Sequence, residues 1–187
     1  MPCYICVDIE AAGPNPGNYS LLSIGAATVA EPRRSFYAEL KPVNSEQTEE
    51  AEGVHGLSLE RLAVEGETPE LALERLEAWL AEVCPADEEP IFVAFNAPFD
   101  WMFVQEYFQR YLRRNPFGHR ALDIKALFMG LHGVAWEATS HQAISRHYGL
   151  KDILPHHAEQ DAQQEAELFA AMLEELAGRQ SPIEEHV

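Results

Sequence analysis

The first forty residues alternate between hydrophobic and polar positions in a way that predicts β-strands. Ile5, Val7 and Ile9 occupy every second position of the first segment, and a period of two is typical of a strand with one buried face. A cluster of glycines and prolines between residues 11 and 18 predicts a turn. The three predicted strands span Pro2–Glu10, Leu21–Val29 and Ser35–Leu40. Their short connections favour an antiparallel meander.

The spacing of hydrophobic residues then changes to that of amphipathic helices. Thr68 followed by Pro69 is a typical helix start, and the leucines at positions 73, 76 and 80 form a one-sided apolar stripe. Further helices are predicted at Glu46–Glu52, after Ser58, over Pro98–Arg113, after Asp123, over Thr139–Tyr148 and over Ala158–Ala177, with Gly178 ending the last one.

One short segment among the helices is hydrophobic at every position. Ile91–Phe95 follows Pro90, and such a continuous run is typical of a strand that is buried on both faces. The order is therefore three strands, helices, a buried strand and more helices. This order predicts an α/β fold, in which helices pack against a mixed sheet.

Length and composition predict one globular domain. A chain of 187 residues, 47% of them hydrophobic, suits a single sizeable core, which we assign to residues 1–178, with 179–187 as a flexible tail. The N-terminus lacks the pattern of a signal peptide, and no apolar stretch reaches the length of a membrane span. We therefore expect no membrane partner and a cytoplasmic location.

The net charge of −18 restricts the kind of nucleic-acid binding that is expected. It argues against a protein that holds long nucleic acids through many phosphate contacts. It does not exclude a small site that binds a few nucleotides through metal ions.

The three cysteines predict no disulfide framework. Cys3 and Cys6 have the spacing of a C-x-x-C motif, but an odd offset in a strand places the two side chains on opposite faces. We therefore interpret Cys3 and Cys6 as small residues that fill the core. Cys84 stands alone.

Two acidic residues lie at the end of the first predicted strand. Asp8 and Glu10 are two positions apart, so both carboxylates lie on one face of the strand. Two neighbouring anions are unfavourable unless a cation joins them. Taken alone, the pair is better explained as two solvated carboxylates at a strand end.

Two later segments carry candidate partners for these acids. Asp100 follows the buried strand and lies in the first turn of the next helix, where the helix dipole alone could explain it. Asp161 lies early in the last helix, and His156 lies in the loop just before it. An ordinary polar helix start would also explain these two residues.

The three segments together resemble the DEDDh branch of the DEDD 3′–5′ exonuclease superfamily, which includes polymerase proofreading subunits, ribonuclease T and oligoribonuclease. The matching motifs are Asp8-Ile9-Glu10, Asn96-Ala97-Pro98-Phe99-Asp100 and His156 to Asp161. The resemblance covers residues 4 to about 170. It implies a ribonuclease H-like fold with a mixed five-stranded sheet, three strands antiparallel and the others parallel, flanked by helices.

The resemblance also implies an activity and the residues that perform it. Asp8, Glu10, Asp100 and Asp161 would hold two divalent ions, Mg²⁺ or Mn²⁺, and His156 would be the general base. The enzyme would remove nucleoside 5′-monophosphates from the 3′ end of DNA or RNA. The residues implied for substrate binding are Ala11, Val54, Leu57 and Asn96. Ala12 and Pro14 depart from the family pattern, which leaves substrate preference open.

Other functions remain open at this point. A catalytically silent nucleic-acid-binding or scaffold module would have the same fold, and a proofreading subunit would need a polymerase partner. A homodimer is also possible by analogy with relatives. The acidic charge favours a single-stranded or short substrate. Arg110, Arg113, Arg114 and Arg120 could line the entrance or could be an ordinary solvated helix end.

Overall fold

A five-stranded sheet forms the centre of the computed structural model, which describes residues 2–151 and 156–179. The strands are β1 (Tyr4–Ala11), β2 (Leu21–Thr28), β3 (Ser35–Glu39), β4 (Ile91–Ala94) and β5 (Ala121–Asp123). Their order across the sheet is β3-β2-β1-β4-β5. β1, β2 and β3 are antiparallel, whereas β4 pairs parallel with β1 and β5 parallel with β4. This topology confirms the expected ribonuclease H-like class.

Helices cover both faces of the sheet. They are α1 (Glu49–His55), α2 (Leu59–Glu65), α3 (Pro69–Val83), α4 (Ala97–Tyr107), α5 (Ile124–His132), α6 (His141–His147) and α7 (Ala158–Arg179). The side chains of Ile5, Val7 and Ile9 pack with α3 and α4, and Cys6 on the opposite face packs with α5, α6 and α7. None of these helices, within the described ranges, is apolar over a membrane-spanning length.

Several helix bounds differ from the sequence prediction for local reasons. The Thr48 side chain accepts a hydrogen bond from the Ala51 amide and caps α1, so this helix begins at residue 49 and not at 46. The helix predicted to end at residue 113 is α-helical only to Tyr107 and continues as a π-helical turn, Phe108–Leu112. α7 continues through Gly178 to Arg179. The rest of the predicted tail lies outside the described residues.

Cys3 packs against the core as expected, but the expectation that it takes part in no disulfide is wrong. Cys3 forms a disulfide bond with Cys84, which is 81 positions away. Cys84 directly follows α3 and Cys3 directly precedes β1, so packing of α3 on the sheet brings the two residues together. Spacing along the chain does not reveal this contact. Cys6 is a buried free thiol, as expected.

A glycine in β2 allows the start of α7 to approach the sheet closely. Gly25 pairs with Asp8 of β1 and with Tyr37 of β3, so all three residues share one face. A Cβ atom at Gly25 would lie 2.1 Å from the backbone carbonyl of Ala158. The missing side chain therefore brings the first turn of α7 directly over the end of β1.

Candidate active site

β1 presents the first two acidic residues on the face that α7 covers. Cys6 lies in the core on this face, and Asp8 and Glu10 follow at the next two positions of the same face. A register shift interrupts the pairing with β2 between Glu10 and Ala11, and such irregularities reorient side chains at strand ends. The apolar core thus ends at a pair of carboxylates.

Backbone hydrogen bonds fix the third carboxylate beside β1. Asp100 lies in the first turn of α4 and is 5% exposed. Its Oδ1 accepts a hydrogen bond of 3.2 Å from the backbone N–H of Ile9, which lies between the two acids of β1. Asp123 supports this placement, because its Oδ2 accepts a 2.7 Å hydrogen bond from the Ala97 amide at the start of α4.

The start of α7 supplies the fourth carboxylate and a histidine. Asp161 is 4% exposed, and its Oδ2 accepts a hydrogen bond of 3.1 Å from the backbone N–H of His157. His156 is exposed just before the helix. Its side chain reaches back to the sheet, so that one ligand atom each of Glu10, His156 and Asp161 lie within 4.8 Å of one another.

These residues meet in one cavity of about 180 Å³, which we call the carboxylate cavity. Its lining brings together every metal-ligand candidate and the histidine that the sequence predicted. The residues that line it are Asp8, Ile9, Glu10, Phe95, Asn96, Phe99, Asp100, His141, His156, Asp161 and Glu165. Neither lysine nor arginine is among these described residues.

Two of the lining residues have unusual backbone conformations. Asn96 and His156 have φ angles of 67° and 53°, in the left-handed region that non-glycine residues rarely adopt. Such conformations cost on the order of 1 kcal/mol or more and are concentrated at functional sites. The backbone at both edges of the carboxylate cavity is therefore held in place by its surroundings.

Burial makes the charged form of the carboxyl groups in the carboxylate cavity unfavourable. Burial, with a smaller contribution from Asp161, raises the pKa of Glu10 to about 7. Burial also raises the pKa of Asp8, Asp100 and Asp161 above their ordinary range, and the charge of Glu165 raises that of Asp8 further. Several anions in a poorly solvated space require a compensating cation.

The donor chemistry of the cavity fits a hard divalent cation. Asp161 Oδ1 and Glu165 Oε2 are buried without a hydrogen-bond partner, and unpaired buried carboxylate oxygens are costly. Oxygen ligands of this kind suit Mg²⁺ or Mn²⁺. The described residues therefore contain a ligand set that could hold divalent ions.

A second cavity of about 340 Å³ adjoins the first, and we call it the apolar cavity. The two cavities share Ile9, Glu10 and Phe99. Of the residues that the sequence predicted for substrate binding, Ala11 and Val54 line the apolar cavity and Asn96 lines the carboxylate cavity. Leu57 instead packs against the small core cluster of Ala12, Leu22 and Leu62 and is not among the lining residues of either cavity.

The arginines proposed for the entrance are mostly engaged elsewhere. Arg114 makes two hydrogen bonds of 2.6 and 2.7 Å to the carboxylate of Glu77, and Arg110 and Arg120 form ion pairs with Glu106 and Glu89 respectively. The described lining of the two cavities includes none of the four arginines. This arrangement favours the interpretation as a solvated helix end.

Three residues near the site were not found from the sequence. Glu165 lies one helical turn after Asp161 on α7, a spacing that places both on one face and could have revealed it. His55 lines the apolar cavity, and its Nδ1 accepts a hydrogen bond of 2.9 Å from the Leu57 amide. His141 begins α6, and no motif in the chain singles it out.

Fold and site together define a nuclease built on a ribonuclease H-like sheet. Comparison with protein families supports this class, because the family model described as Exonuclease matches residues 5–169. The chain belongs to this exonuclease family. It is therefore a phosphodiester hydrolase, which disfavours the silent module.

The chain is also similar to individual proteins of known activity or structure. It is 42% identical over 166 residues to the 3′-5′ DNA exonuclease Cap18 of Escherichia coli, covering 89% of each chain. Its fold resembles the nuclease domain of 3′hExo, a DEDDh family member solved with rAMP, with a TM-score of 0.75, 16% identity and 92% of each chain covered.

A further structural likeness is to E. coli exonuclease I in complex with a dA16 oligonucleotide. The TM-score is 0.73 at 14% identity, over 94% of this chain and 41% of that one. At such low identities the two structural likenesses establish the fold alone.

Proposed function

We propose that the protein is a 3′–5′ exonuclease that acts on DNA, on single-stranded or short 3′ ends, and releases nucleoside 5′-monophosphates. The observation that carries this proposal is the single cavity that contains Asp8, Glu10, Asp100, Asp161 and His156. The choice of DNA over RNA rests on the similarity to the DNA exonuclease Cap18.

Asp8, Glu10, Asp100 and Asp161 are the proposed ligands of two divalent ions, Mg²⁺ or Mn²⁺. When bound, such ions activate water and neutralise charge on the phosphate and the leaving oxygen. The protein orients the ligands in advance, since the amides of Ile9 and His157 fix one oxygen each of Asp100 and Asp161. Preorganised groups of this kind lose little entropy when the reaction occurs.

His156 is the proposed general base, which takes a proton from the attacking water. Its ligand atom lies within 4.8 Å of those of Glu10 and Asp161, and histidine is suited to proton transfer near neutral pH. His157 is a poorer candidate because its ring stacks on Tyr37 with a centroid distance of 4.6 Å.

The apolar cavity is the proposed site for the terminal nucleoside. Glu10 and Phe99 line both cavities, so a sugar and base in the apolar cavity would place the adjacent phosphate at the carboxylates. Val54 and Ala11, which line this cavity, would contact the nucleoside. Asn96 would lie beside the phosphate that is cut.

Degradation of labelled oligonucleotides tests the proposal. Matched single-stranded DNA and RNA of several lengths, labelled at the 5′ end, are incubated with Mg²⁺, with Mn²⁺ and with EDTA. We expect a ladder that shortens from the 3′ end, faster on DNA, only when metal is present. Asp100→Asn is the inactive control. A single internal product, or equal cleavage in EDTA, would contradict the proposal.

A further inference from the structure

A fifth carboxylate lies in the carboxylate cavity, beyond the four proposed ligands. Glu165 is one turn after Asp161 on α7, and the two side chains are 3% and 4% exposed. Both line the same cavity. A glutamate in the middle of a helix ordinarily lies in solvent, as the neighbouring Glu167 does.

The contacts of Glu165 leave one of its oxygens unused. The backbone N–H of Phe95, directly after β4, donates to the carboxylate and favours its charged form. Oε2 is buried and has no hydrogen-bond partner. Leaving such an oxygen without a partner is costly unless something outside the protein satisfies it.

The charges around Glu165 show what kind of partner is missing. Its own pKa is raised by burial and then by the charge of Asp100. Among the charged groups around Asp8, Glu165 raises the pKa of Asp8 the most. The described lining contains neither lysine nor arginine, and its only basic side chains are those of His141 and His156, so no permanently charged cation accompanies the buried, unpartnered oxygen.

We propose that Glu165 is a fifth carboxylate ligand of the divalent-ion centre, binding through its buried Oε2 in the carboxylate cavity. This inference rests on the proposed function, in which the other four carboxylates hold the ions. A fifth anionic oxygen raises the affinity of the site for hard cations. It also makes the metal-free protein less stable, because burying another ionisable carboxyl group without a compensating cation is costly.

Calorimetric titration with Mn²⁺ at about pH 8 tests the assignment on four proteins: the parent, Glu165→Gln, Glu165→Asp and the control Glu167→Gln. We expect Glu165→Gln to weaken Mn²⁺ binding by about 10-fold or more. Glu165→Asp keeps the charge but shortens the side chain, so it also weakens binding if the oxygen is a ligand. Glu167→Gln leaves the affinity unchanged.

Thermal unfolding gives a second measurement that does not depend on activity. In EDTA at the same pH, Glu165→Gln unfolds at a higher temperature than the parent because the cost of burying an ionisable carboxyl group has been removed. When Mn²⁺ replaces EDTA, the melting temperature of Glu165→Gln rises by less than that of the parent. Parental Mn²⁺ affinity in both Glu165 variants, with binding lost in Asp161→Asn, would overturn the assignment and leave the proposed function intact. A parent that binds no Mn²⁺ would instead contradict the proposed function.

Discussion

His156 and His157 are neighbours in the chain, but their surroundings differ. The His157 ring stacks on Tyr37, and its backbone atoms hold Asp161. His156 is exposed, has a positive φ angle and lines the carboxylate cavity. The fixed spacing of the motif identified His156 from the sequence. The contact of His157 with Tyr37 of β3, at the start of α7, could not be identified in this way because it exists only in the folded chain.

Replacing each histidine by alanine separates the two roles. We expect His156→Ala to lower kcat by at least about 100-fold, since a general base is lost. His157→Ala removes only the stacked ring and keeps the backbone contacts, so its rate stays within a few-fold of the parent. Single-turnover hydrolysis of a labelled DNA strand measures both. Equal losses in the two variants would contradict the assignment of the base.

The strands and helices vary in how well the sequence predicts them. Alternation located β1 and the continuous apolar run located β4, because both patterns follow directly from burial. β5 has only three residues, Ala121–Asp123, two of them exposed, so no pattern marks it. The Cys3–Cys84 disulfide and the approach of α7 to Gly25 depend on packing between distant segments. They could not be predicted from spacing.

Gly25→Ala tests how closely α7 must approach the sheet. The new Cβ would overlap the backbone of Ala158, so the start of α7 must move and displace Asp161 from Asp8. We expect about 1–3 kcal/mol lower stability from overpacking and at least about 10-fold lower activity, because misplacing catalytic groups is costly.

Gly130→Ala is the matched control for this substitution. Gly130 lies in α5 and is exposed, and a Cβ atom added there would meet no other side chain or distant backbone within 4 Å. Alanine there increases stability slightly through its helix propensity. Urea unfolding and DNA hydrolysis are measured on both variants. Unchanged stability and rate in Gly25→Ala would show that the contact does not position α7.

The acidic residues of the molecule lie not only on its surface but also in its interior. The net charge is −18, and five acidic side chains share the carboxylate cavity. Composition alone argued against a protein that binds nucleic acid over a broad surface. It could not show that buried acids meet in one place, because Asp8, Asp100 and Asp161 are brought together only by the sheet.

The stability of the metal-free protein should therefore depend on pH. The pKa of Glu10 is raised to about 7, so the folded state binds a proton that the unfolded chain releases near its ordinary value of about 4.3. The stabilisation from Glu10 is fully present below its ordinary pKa of about 4.3, and it is lost as the pH rises through its folded-state pKa of about 7. The raised pKa values of Asp8, Asp100 and Asp161 act in the same direction.

Urea unfolding in EDTA between about pH 5.5 and pH 8 measures this effect. We expect the free energy of unfolding to fall across the range, and the fall to be smaller in Glu10→Gln. Mn²⁺ should restore stability most at the upper end, where protons compete least for the ligands. A metal-free protein that becomes more stable with rising pH would contradict the electrostatic account of the site.

Anomalous diffraction from crystals of the parent protein soaked in Mn²⁺ is the most direct test of the central claim. We predict two peaks about 4 Å apart, within ligating distance of oxygens from Asp8, Glu10, Asp100 and Asp161. Peaks confined to the surface, or four carboxylates too widely separated to share the same ions, would contradict it.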